Sequence, residues 1–145
     1  MVQKLSEIIN LEEMDICLSS PLKRARETAN IITNNKLEII TDDLLVERDF
    51  GDYEGTKVTQ ELIDKNWDFS LNDSSNNMES LKDLLLRIKI FLDKIKKEYQ
   101  NKNILIVSHG CFIKCLHFNI IGYNENTDFL SYFPKNTTLY KYEIE

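Results

Sequence analysis

The sequence has 145 residues, 42% hydrophobic and 29% charged, enough for one domain (1–145) to bury a core without disulfides or metals. A formal net charge of −6 disfavours nonspecific binding to nucleic acid or to an anionic membrane, but permits a pocket where a few cations converge on an anion. Three irregularly spaced cysteines argue against a disulfide framework and fit a reducing, cytoplasmic setting. No apolar run is long enough to span a bilayer, and MVQKLSEIIN lacks a signal peptide's apolar stretch and cleavage pattern.

Residues 2–10 carry Leu5, Ile8 and Ile9 at helical spacing and predict the end of an amphipathic helix. Ile16, Cys17 and Leu18 predict a short buried strand. Ser20 then offers an N-cap and Pro21 a first helical position. The helix that follows would bury Leu22, Ala25, Ala29 and Ile32 and stop near Asn34-Asn35. Residues 37–40 predict a second strand, 42–55 an irregular stretch with two of the four glycines, and 56–67 a helix. A polar loop over 72–77 leads into the longest helix, 78–99. Its broad apolar face holds Leu81, Leu84, Leu85, Ile88, Phe91, Leu92 and Ile95. Residues 103–107 form a continuously apolar strand, as expected when helices cover both faces, and 111–120 a helix. A final strand is expected over 137–144. The alternation predicts an α/β fold, a three-layer α/β/α sandwich with a mostly parallel sheet.

In open α/β sheets chemistry collects beyond the carboxyl ends of the strands. Three polar clusters fall there: Ser19-Ser20 with Arg24, Glu47 with Gly51 and Gly55, and Ser108-His109-Gly110. Each alone has an ordinary explanation: a capped helix with a solvated arginine, a surface glutamate before a glycine turn, a hydrogen-bonded structural histidine.

Together they resemble the histidine phosphatase superfamily, the phosphoglycerate mutase-like proteins. Residues 19–29, SSPLKRARETA, match that family's S-S-x-L-x-R-A-x-x-T-A segment. Residues 45–55, LVERDFGDYEG, are similar to its acid loop, and residues 104–110 to its second histidine strand, ending Ser-His-Gly. Met78-Glu79-Ser80-Leu81 resembles its G-E-S-L helix start with Met in place of Gly. Pro134-Lys135-Asn136-Thr137-Thr138-Leu139 is similar to the turn before its last strand.

The resemblance implies a small phosphorylated metabolite as partner and a reaction through a phosphohistidine, without cofactor or metal. Arg24 would clamp phosphate, Glu47 would protonate the leaving alkoxide, and His109 would be the second active-site histidine contacting the phosphoryl group. Gly110 and Cys111 would offer helix N–H groups to the anion. Thr28, one turn beyond Arg24, would support it; Arg48 has no assigned role, and Lys23 and Arg26 read as surface charges. Cys111 at a helix start also raises a cysteine nucleophile as an alternative. His117 reads as a surface or core residue.

The family's first motif, Arg-His-Gly on its first strand, is not in the sequence: neither His109 nor His117 follows an arginine. The expectation is therefore a domain lacking that strand, with the strand leading to His109 unpaired along one edge and the inherited mechanism unable to run on this chain alone. Three outcomes are open: part of an active enzyme, a non-catalytic relative that binds a phosphate ester or a protein, or an assembly module forming a homodimer through the exposed sheet edge. The compact stretch 56–102, with Arg87 its one arginine, looks more like the small phosphatases than the mutases. Specificity would lie in loops such as 68–77 and 123–133. Trp67, Phe69 and Phe129 read as core there, with pocket lining as the alternative.

Overall fold

A computed structural model describes residues 9–144. Among the described residues three parallel strands form the sheet: β1 (Ile16–Ser19) in the centre, β2 (Ile39–Thr41) on one side and β3 (Ile104–Val107) on the other. Cys17 pairs with Ile39 and Leu105, and Ser19 with Thr41 and Val107, which brings the carboxyl ends of all three strands level.

The described residues form four α-helices: α1 (Lys23–Thr33), α2 (Gln60–Asn66), α3 (Leu81–Glu98) and α4 (Gly110–Ile121). The strand alternation divides the core in two. Cys17, Leu105 and Val107 face Ala25, Ala29 and Ile32 of α1. Ile16 and Leu18 face the larger cluster, where α3 packs on α4 through Leu84, Ile88, Phe91, Phe112 and Cys115. All seven apolar residues expected on the face of α3 are buried. Each fully buried aliphatic side chain contributes about 1.5–3 kcal/mol against the cost of ordering the chain. This is the expected three-layer arrangement, with all described strand pairs parallel. Among the described residues no helix is long and apolar enough to cross a membrane.

Several boundaries differ from expectation. The helix expected over 2–10 lies mostly outside the described residues, and the described Ile9 and Asn10 are not helical. Helix α1 starts at Lys23, two residues beyond Pro21, with Leu22 still extended. The N–H of Ser20 donates to the carbonyl of Val107, prolonging the ladder past β1, and its Oγ accepts the Leu22 N–H in a turn. Asn34, in the left-handed region at φ 46°, ends α1 where expected. Helix α2 starts at Gln60 because Thr59 caps it, its Oγ1 accepting the Leu62 N–H.

The strand expected over 137–144 is a correction: the segment joins no ladder. Thr137 sits at φ 52°, a conformation a β-branched residue cannot carry into a strand. Side chains hold the tail instead, Tyr142 OH lying 2.8 Å from His117 Nδ1 and Tyr140 OH accepting the Lys135 N–H. Among the described residues nothing pairs with the outer edge of β3.

Candidate active site

Ser20 follows directly on β1 and His109 comes two residues after β3, and the parallel register brings them side by side beyond the strand ends. His109 Nε2 lies 2.8 Å from Ser20 Oγ, and Ser20 is fully buried. Val107 accepts the Ser20 N–H, so the backbone that presents the hydroxyl is tied to the strand that presents the imidazole. His109 is 8% exposed, and its pKa lies below the usual 6.5. Burial is the main cause; the Glu47 carboxylate opposes it and the Arg24 guanidinium reinforces it. The structure therefore brings Arg24, Glu47 and His109 close enough for both charges to act on one ring.

Arg24 is the second residue of α1, not the fourth of a helix begun at Pro21, and its side chain is exposed. Near the positive end of the helix its guanidinium adds to a field that favours an anion. Thr28 does not support the guanidinium; its hydroxyl donates to the Arg24 carbonyl, 2.9 Å away.

Glu47 takes a place the sequence did not indicate. Its Oε1 accepts the N–H groups of Arg48 at 2.9 Å and Phe112 at 3.2 Å, and its Oε2 accepts that of Cys111 at 3.2 Å. The carboxylate thus caps the first turn of α4 from a distant loop, using the Cys111 N–H that sequence reasoning reserved for a substrate anion. Gly110 begins that turn, is exposed, and would place a Cβ in open space, so the approach past it is clear.

Cys111 does not fit a nucleophile. Burial pushes its thiol well above the ordinary value and the Glu47 charge pushes the same way, outweighing Arg48. Cys115 is likewise pushed up to about 12, first by burial. His117 stacks on Tyr132 with ring centroids 3.9 Å apart and helps hold the tail. Trp67 and Phe129 are buried in the core, yet with Phe69 they also line a cavity of about 240 Å³ between residues 64–70 and 125–130, where the end of α2 meets the two loops expected to vary.

The residues that hold the acid loop were missed. Arg48, 1% exposed, donates from Nε to the Glu79 carbonyl and from Nη1 to the Asn66 carbonyl. Arg87 forms a two-point pair with Glu79 and donates to the carbonyls of Leu44 and Val46. Lys114, also 1% exposed, lies over the Trp67 and Phe133 rings. The only available signal was charge inside otherwise apolar helices and next to a glycine loop. Among the described residues no group of side chains is arranged to hold a metal ion.

Comparison with known proteins fits this geometry. The sequence pattern of the histidine phosphatase superfamily, branch 1, matches residues 1–145. The uncharacterized phosphatase PhoE of Bacillus subtilis is 39% identical over 109 residues, covering 74% of this chain and 54% of that protein. Phosphoserine phosphatase 1 of Hydrogenobacter thermophilus is 30% identical over 125 residues, 81% of this chain and 59% of that protein. The chain thus spans little more than half the length of these relatives. In fold it is similar to an Escherichia coli putative α-ribazole-5′-phosphate phosphatase, with a TM-score of 0.73 at 21% identity over 94% of this chain and 70% of that one. Strands that carry Ser20 and His109 side by side, an acid loop reaching the next helix, and a sequence match over the full length lead to one assignment: the chain belongs to the histidine phosphatase superfamily.

Proposed function

We propose that these residues form the phosphate-binding and proton-donating face of a phosphomonoester phosphatase working through a phosphohistidine. The observation that carries this reading is His109 held 2.8 Å from Ser20 beyond the strand ends, with Arg24 and Glu47 near enough for their opposite charges to act on its ring. Arg24 binds two phosphate oxygens through its fork of donors. His109, held by Ser20, donates to a third oxygen as charge builds on the transferring group. Glu47, in its protonated form, gives its proton to the leaving alkoxide, a base too strong to depart unassisted, and the three backbone N–H groups hold the carboxylate that remains. The substrate is a small phosphorylated metabolite.

The nucleophile is a role none of the named residues fills. His109 carries the contacts of a second histidine, and Cys111 is held as a thiol. A second reading follows from the sequence, in which neither histidine follows an arginine: the chain binds a phosphate ester without turning it over. Assays with an aryl phosphate at mildly acidic pH separate the two, comparing the 145-residue chain with a version extended upstream by a strand ending in Arg-His-Gly. Negligible turnover by the chain and robust turnover by the extended version are expected. Calorimetric binding of phosphate esters with no turnover in either supports the second reading. Turnover by the chain that disappears in His109→Ala makes His109 the nucleophile and overturns the proposed roles.

A further inference from the structure

We infer that Glu79 and Arg87 are positioning residues for Glu47, acting as one clamp that sets where its carboxyl group stands. The inference rests on the proton-donor role proposed above for Glu47.

Glu47 lies in a stretch with no strand or helix of its own, between the 3-10 turns Asp43–Leu45 and Gly51–Tyr53. A carboxyl on such a segment has no ladder to fix it, and general acid catalysis tolerates little displacement. The clamp supplies that definition from both sides. Before Glu47, Arg87 Nη1 donates to the Leu44 carbonyl at 2.7 Å and the Val46 carbonyl at 2.9 Å. After it, Glu79 accepts the Arg48 Nε–H through its carbonyl at 3.0 Å and the Asp49 N–H through Oε1 at 3.3 Å. Its own N–H donates to the Asp49 carbonyl at 2.7 Å. The two side chains are joined at two points, Arg87 Nε to Glu79 Oε2 and Nη2 to Oε1, each 3.0 Å.

The clamp makes no bond to Glu47 itself, whose carboxylate reaches across to the N–H groups of α4. The pair is over four-fifths buried, with side chains 17% and 18% exposed, so it is poorly screened. Arginine is needed here because one guanidinium serves a carboxylate and two carbonyls at once; a lysine ammonium has three donors and no planar fork.

Two measurements test this. In the 145-residue chain, hydrogen exchange at the Cys111 and Phe112 amides reads whether Glu47 still sits on them, and the Ile113 amide, bonded to the His109 carbonyl, is the internal control. Glu47→Gln defines the exchange expected when the carboxylate is lost. Arg87→Lys and Glu79→Gln are expected to speed exchange at Cys111 and Phe112 about tenfold while leaving Ile113 unchanged, a shift read against the usual span of local opening energies.

In the version extended upstream by a strand ending in Arg-His-Gly, the same variants are assayed on an alkyl phosphate and on dinitrophenyl phosphate, whose leaving group needs no proton. About a hundredfold loss of kcat on the alkyl ester is expected, with KM and the activated ester unchanged. Wild-type exchange and turnover in both variants, or equal loss on both esters, overturns the clamp. If Glu47→Gln itself lacks leaving-group selectivity, the proton-donor role fails and the clamp's catalytic purpose falls with it. If Glu47→Gln is selective and the clamp variants are not, the clamp alone fails.

Discussion

His109 Nε2 and Ser20 Oγ, 89 positions apart in sequence, lie 2.8 Å from each other because two parallel strands end at the same level. The contact fixes the imidazole in a setting where burial favours its neutral form. The neighbouring charges should then be readable in its titration. Glu47→Gln removes the charge that raises the His109 pKa, so the midpoint falls; Arg24→Gln removes the one that lowers it, so the midpoint rises. NMR titration of the His109 ring checks both signs, and the same sign in both variants contradicts the geometry.

The same depressed pKa makes stability depend on pH. Between the folded value and the ordinary 6.5 the unfolded chain binds the proton more tightly than the native state. The contribution of His109 is therefore complete above the ordinary value and is lost as pH falls below it. Urea unfolding should show a shallower fall on the acid side of 6.5 in His109→Asn than in the parent chain.

Gly51 is the tightest point of the acid loop. It adopts φ 55°, and a Cβ there would stand 2.3 Å from the Asn76 carbonyl oxygen, a backbone atom that cannot swing aside. Gly51→Ala is expected to cost about 2–4 kcal/mol from combined strain and displacement of residues 75–77. Chemical denaturation reads the loss directly. A change of less than about 0.5 kcal/mol would mean that the two loops do not pack as described.

Lys114 carries a different cost. Its Nζ lies 3.8 Å from the Trp67 ring centroid and 3.5 Å from that of Phe133, without a hydrogen-bond partner. Burial pushes its pKa down from 10.5 to about 8, so the folded state gives up the proton first and this group's contribution to stability rises with pH across that window. Lys114→Met should stabilise the chain near neutrality by about 1 kcal/mol and abolish that rise. Equal destabilisation at neutral pH and at about pH 9.5 would show that the rings stabilise the cation more than burial penalises it.

Much of the fold was legible where one segment's pattern decided its own fate. Ile16-Cys17-Leu18 and the run from Ile104 to Val107 are apolar on both faces because helices cover both. The seven apolar residues of α3 repeat at helical spacing because one face meets the sheet and α4. The misreadings share a cause, contacts between segments remote in sequence. Ser20 looked like a helix cap, yet its backbone prolongs the ladder with β3. The tail from Thr137 has strand-like composition, but it joins no ladder and is held by His117.

The site was half legible for the same reason. Arg24, Glu47 and His109 stand in segments whose motif survives in one dimension. Arg48, Glu79, Arg87 and Lys114 drew no role from the sequence, because their partners lie 8 to 43 positions away or are aromatic rings. No local pattern reveals that an arginine will be swallowed by a loop it helps to shape.

The most direct measurement follows the His109 ring by NMR while inorganic phosphate is added to the chain and to its Arg24→Gln and Glu47→Gln variants. Phosphate is expected to shift the His109 signals in a saturable way. Arg24→Gln should weaken binding about tenfold through loss of a charge-assisted pair, and Glu47→Gln should tighten it by removing a like charge from beside the anion. Phosphate that leaves the His109 signals unmoved, or binds Arg24→Gln as well as the parent chain, would contradict a shared anion site for these three residues.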